Sequence, residues 1–158
     1  MLNNQEKYKK KGYKYESGWQ SCNLCTIDMS KVSTSTEFYF LCEYAAVLGT
    51  LQAGYTDAGY LGETSRKIIE RESLLGISMT GIMENPSLAL NPVILRGGAA
   101  VVVGTNKEVA AKLGIPRAAR VTTVKPEGTG SLVLGTSSGI HAHPVSYTHL
   151  TLPTILLV

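Results

Sequence analysis

The stretch "VKPEGTGSLVLG", residues 124 to 135, holds the residues whose types and spacing point most directly to chemistry. A β-branched run ends at Lys125-Pro126, passes through Gly128, Thr129 and Gly130, and restarts as an apolar stretch that suits a short helix. In such a strand-to-helix setting, backbone N–H groups converge on an anion, and glycines let that anion come close. The hydroxyls of Thr129 and Ser131 can add hydrogen bonds. The loop lacks the Gly-Lys-Ser/Thr ending of a Walker loop and the G-x-G-x-x-G spacing of a dinucleotide fold. Two readings stand on residue chemistry alone: a phosphate cradle and a plain tight turn.

Cysteine supplies the other candidate. Cys22 and Cys25, in "CNLC", have the spacing of a redox dithiol or half a zinc site. Cys42 stands alone, the histidines lie far off in sequence, and zinc is therefore not expected. A reactive Cys22 beside a buried, inert Cys25 is the third reading, since burial is the usual fate of a free cysteine. His141 and His143, in "GIHAHP", read as metal ligands or as loop residues before a proline. Asp57 and Glu63 invite a general-acid reading against that of a solvated turn or cap. No metal site is assigned.

The elements that must position these groups follow from pattern. Residues 1–15 are polar, basic and aperiodic and read as a tail, with Lys7, Lys9, Lys10, Lys11 and Lys14 crowded into it. Without them the body is slightly acidic, so a formal net charge of +3 gives little support for direct nucleic-acid binding. Thr34 and Glu37 have capping-box spacing ahead of a helix over about 35 to 53, with Phe38, Leu41, Ala45, Leu48 and Leu51 as its apolar stripe and Gly54 at its end. The charged stretch 63 to 73 predicts a second helix, and 74 to 83 a buried strand. Asn91-Pro92 is a cap and first turn for a helix reaching Leu113, in which "GGAAVVVG" predicts a kink; Val and Thr content over 120 to 126 predicts a further strand. The order is that of an α/β protein with parallel strands.

Length and composition set the outer bounds. With 158 residues and 44% hydrophobic content, the chain suffices for one modest domain or a piece of one. Three cysteines without a regular framework, no apolar run near the roughly 20 residues of a membrane span, and no signal-like start point to a cytoplasmic protein without a membrane partner. Residues 145–158 carry no charge and end in an apolar tetrapeptide, a poor finish for a soluble domain.

Taken together, "SGWQSCNLCTIDMSK" (17 to 31), residues 48 to 86 and "VKPEGTGSLVLGTSSGIHAHP" (124 to 144) resemble the catalytic barrel of adenosylcobalamin-dependent (class II) ribonucleotide reductases. The resemblance runs over residues 16–144 and implies a partial α/β barrel, a fragment of the catalytic barrel. It implies that Pro126, Glu127, Gly128, Thr129, Gly130 and Ser131 hold substrate phosphates. Cys22 matches one cysteine of the redox pair that reduces the ribose, and Cys25 matches no catalytic position. A ribonucleotide substrate, a thioredoxin-like reductant and adenosylcobalamin are implied with it, for deoxyribonucleotide synthesis, although no cobalamin site is evident in the chain. The family's Asn-x-Cys-x-Glu segment, source of the thiyl radical, should precede Cys22; "KYKKKGYKY" stands there instead. Residues 145–158 look like translated adapter sequence. The chain alone is accordingly expected to be inactive, and the alternatives are a non-catalytic nucleotide-phosphate-binding module or an inert gene fragment.

Overall fold

In the computed structural model, residues 17–142 are described; the basic tail 1–15, Glu16, His143, Pro144 and the segment 145–158 lie outside them. Two parallel strands form the sheet, β1 (Asn23–Asp28) and β2 (Leu75–Thr80), in register from Asn23 opposite Leu75 to Asp28 opposite Thr80. A parallel pair needs a crossover between its strands, and here helix α1 (Ser35–Ala53) and helix α2 (Glu63–Glu72) lie within it. After β2 come a single turn of helix, α3 (Pro86–Ala89), the long α4 (Pro92–Leu113), and α5 (Gly128–Leu134). The fold is mixed α/β with a small parallel sheet.

The caps lie where residue chemistry places them. Thr34 accepts from Glu37 N at 3.1 Å, and the Glu37 carboxylate accepts in return from Ser33 N at 2.8 Å, one residue before the cap itself. Asn91 Oδ1 accepts from Val93 N at 2.9 Å and Ile94 N at 3.4 Å, with Pro92 in the first turn. Gly114, in the left-handed region at φ 71°, ends α4. The helix runs without interruption through "GGAAVVVG".

Two expectations change. The first is the stripe of α1. Phe38, Cys42, Ala45, Ala46, Gly49, Thr50 and Ala53 face inward, while Leu48 and Leu51 stay 58% and 47% exposed beside Phe40 and Tyr44. The cause is close approach: a Cβ added at Gly49 would stand 3.2 Å from Leu75 Cγ and 3.3 Å from Ile77 Cδ1, so the sheet-facing side has room only for small residues. The second is the strand at 120 to 126. It is one parallel bridge, Thr122 with Ile77, supported by Leu75 N to Arg120 O at 3.0 Å, Ile77 N to Val121 O at 2.9 Å and Thr123 N to Ile77 O at 3.0 Å. The ladder stops because Lys125 N turns to the Ser78 hydroxyl (3.0 Å) and Pro126 has no N–H to give.

The core lies between the sheet and the helix pair α1 and α4, built on Ile27, Met29, Phe38, Cys42, Ala46, Leu75, Ile77 and Val102. A buried polar link stitches it: Asn106 of α4 donates to Thr50 Oγ1 of α1 at 2.9 Å and accepts from Ala118 N at 2.9 Å. Among the described residues, no helix is long and apolar enough to cross a membrane.

Candidate functional site

The loop 126–131 sits between the extended segment that borders β2 and the first turn of α5, which begins at Gly128. Three neighbours fix it. From β1, the Thr26 hydroxyl donates to the Glu127 carboxylate. From β2, Ser78 Oγ accepts from Lys125 N. From beyond α5, Ser138 Oγ donates to Pro126 O at 2.5 Å. Residues 136–139 are themselves pinned to the end of β2, through Thr80 Oγ1 to Ser137 O (2.7 Å), Gly139 N to Thr80 Oγ1 (3.0 Å) and Gly81 N to Ser137 O (2.9 Å). Gly139, at φ 53°, is required there, because a Cβ would meet Lys125 O at 2.8 Å and Pro126 O at 3.0 Å.

Glu127 is the charged centre of the loop. Its side chain is 3% exposed, and Lys125 Nζ lies 2.6 Å from Oε1. Burial alone would raise the pKa of this carboxyl; the hydrogen bonds from Lys125 and Thr26 and the Lys125 charge outweigh it and hold the group below the usual carboxylate range. The backbone at Glu127 is left-handed (φ 56°), an uncommon state for a residue with a Cβ. A Cβ at Gly130 would collide with the Glu127 carboxylate, whereas one at Gly128 would meet nothing within 4 Å. The two glycines therefore differ: Gly130 leaves room for this chain's own carboxylate, and Gly128 leaves open space. Ser131 is buried, its hydroxyl turned to Gly128 O at 3.2 Å.

Cys22 precedes the first residue of β1 and is exposed. A Cβ at Gly76 would stand 3.0 Å from its sulfur and 3.1 Å from Thr123 Cγ2, so the thiol lies over the start of β2, and partial burial pushes its pKa up. The loop meets β1 at Thr26, about 13 Å along the chain from Cys22 at the usual rise of a strand. The apolar cavity of about 410 Å³ between the helices and the sheet is lined by Ile27, Phe38, Cys42, Ile77, Val102 and Thr122–Val124 among others, and stops short of both. Cys25 is half-buried rather than buried, with Sγ 3.8 Å from Gln52 Oε1, and burial raises its pKa against the opposing charge of Lys125. Cys42 is buried in the core and pushed up to about 12. Thiol-specific alkylation of the native protein should therefore modify Cys22 first and Cys42 last; mass spectrometry of the digest reads the order, and equal rates at Cys22 and Cys25 would remove the reason for singling out Cys22.

The remaining candidates resolve simply. Asp57 is exposed and accepts from Gly59 N at 3.3 Å, the behaviour of a turn residue. Glu63 opens α2 and is paired with Arg66 at 2.7 Å. His141 is exposed, and His143 lies outside the described residues. Thr26 and Lys125 are site residues that motif reading passed over; Lys125 stood in the quoted stretch, while Thr26 carries no signal until β1 is laid beside the loop.

No family model and no curated protein matches the chain. A solved structure does: the crystal structure of a B12-dependent (class II) ribonucleotide reductase, at TM-score 0.58 and 22% identity, covering 79% of this chain and 21% of that chain. The likeness is one of fold. The chain spans about a fifth of the length of that reductase. That protein is B12-dependent; no cobalamin site is evident among the described residues of this chain.

Proposed function

We propose that this chain is part of a ribonucleotide-reductase-type catalytic barrel, in which Pro126–Ser131 holds the phosphates of a ribonucleotide and Cys22 is one cysteine of the pair that reduces the ribose. The observation that carries the reading is the passage from β2's neighbour through a glycine-containing loop into the first turn of α5, in a chain whose fold is similar to part of a class II reductase. In the whole reaction the ribose 2′ hydroxyl leaves as water and hydrogen replaces it, the two electrons coming from a cysteine pair that closes to a disulfide. The similar reductase is B12-dependent; no step is assigned to cobalamin on the residues described here. The exposed row Phe40, Tyr44, Leu48 and Leu51 on α1 supports the idea that further protein covers this segment, since such contiguous apolar surface marks an interaction face. A nucleotide-binding module without chemistry is the second reading, favoured by "KYKKKGYKY" standing where the family's Asn-x-Cys-x-Glu segment is expected.

Calorimetric titration with a ribonucleoside diphosphate and triphosphate tests the loop. Binding should be weakened more by Gly128→Val than by Ser131→Ala. The valine fills the open approach to the backbone, whereas the serine hydroxyl faces Gly128 O and contributes one neutral hydrogen bond of about 1 kcal/mol. Wild-type protein that takes up neither nucleotide, or a Gly128→Val variant that binds as wild type does, would overturn the phosphate reading.

A further inference from the structure

We propose that Glu127 is a carboxylate latch that fastens the segment 124–135 to β1, and that Gly130 is the space into which the latch closes. Ser78 and Ser138 hold the segment ahead of α5, and Glu84 holds Thr136 and Ser137 beyond its end, but the helix itself buries little. Leu132 and Val133 are 81% and 82% exposed, and Ser131 is the buried residue of the helix. At the far end, Lys31 Nζ donates to Leu134 O at 3.2 Å in an exposed setting where such a bond contributes little. The link from the start of the helix to β1 is made at Glu127, which joins Lys125 of the segment to Thr26 of the strand. A buried, charge-assisted pair of hydrogen bonds is strong enough to keep Glu127 in a left-handed backbone state that a side chain disfavours.

The latch makes an unusual sign prediction. Gly130 lies inside a helix and has no positive φ, so alanine there should ordinarily stabilise the helix. Here the new Cβ would overlap Oε2 of Glu127, so the carboxylate whose Oε1 holds Thr26 and Lys125 must shift, which strains both bonds. Gly130→Ala should then loosen α5 while Glu127 is present and tighten it once the carboxylate is gone. Glu127→Gly supplies that second background, because glycine removes the carboxylate and accepts the left-handed state.

Amide hydrogen exchange on the full chain, without any ligand, reads the effect at Ser131 N, bonded to Glu127 O, and Thr136 N, bonded to Ser131 O. In the wild-type background Gly130→Ala should speed exchange there about tenfold, with α1 unchanged. In the Glu127→Gly background the same substitution should slow it about threefold. Thr26→Val, which keeps the shape of the strand residue and removes its hydroxyl, should speed the same amides as Gly130→Ala does. Slower exchange from Gly130→Ala in the wild-type background, or a Thr26→Val variant with wild-type rates, would overturn the latch. Because no nucleotide is present, failure of the phosphate reading leaves this result untouched, and the reverse holds as well.

Discussion

Replacing Asn106 by leucine should lower the stability of the protein by about 2–4 kcal/mol, a large part of the 5–15 kcal/mol that holds a domain of this size together. Asn106 is 2% exposed in the middle of α4, where asparagine is a poor helix former and a buried amide is costly unless every partner is met. Its amide meets them: Nδ2 donates to Thr50 Oγ1, which in turn donates to Ala46 O at 2.6 Å, and Oδ1 accepts from Ala118 N. Leucine has nearly the same volume but leaves Ala118 N without this acceptor and the fully buried Thr50 without its donor. The cost should appear as a fall in the thermal midpoint of about 10 °C. Thr50→Val breaks the same link from the other helix, so the double variant should lose less than the sum of the singles. A midpoint for Asn106→Leu within a degree or two of wild type would show that the link carries no stability.

That link was not legible in the sequence, and the reason is general. Capping is local chemistry, so Thr34, Glu37, Asn91, Pro92 and Gly114 announced the ends of α1 and α4 to within a residue. A polar residue in mid-helix gives no such sign, because its partners, Thr50 and Ala118, lie 56 and 12 residues away. The stripe of α1 misled for a related reason. Apolar periodicity marks which residues avoid water but not which of them a close-packed sheet can accommodate, and the small residues Ala45, Ala46, Gly49 and Ala53 won the inner face from Leu48 and Leu51. In the loop, the glycines and the helix start were legible, but the role of Gly130 was not. The carboxylate that fills its space belongs to Glu127, three residues earlier, and takes that position through Thr26 on another element.

The glycines of α4 should respond to alanine with opposite signs. Local propensity treats Gly98 and Gly104 alike, each about 1 kcal/mol worse than alanine in a helix interior, which is why "GGAAVVVG" reads as a weak point. Their surroundings differ. A Cβ at Gly104 would meet nothing within 4 Å, and the residue is exposed, so Gly104→Ala should raise stability by about 0.5–1 kcal/mol through helix propensity alone. Gly98 is buried where α4 crosses α1, and a Cβ there would run into the Phe38 ring, with Cζ at 3.1 Å, and stand 3.0 Å from Cys42 Sγ. Phe38 is 3% exposed and packed on its other sides, so the ring cannot step aside without opening a gap elsewhere in the core. Overpacking of this kind costs about 1–3 kcal/mol, more than the propensity gain, and Gly98→Val should cost more still. Urea unfolding of the two alanine variants against wild type decides it. The midpoint should move up for Gly104→Ala and down for Gly98→Ala, and a rise for both would mean that the α1–α4 contact is looser than the packing of Phe38 and Cys42 indicates.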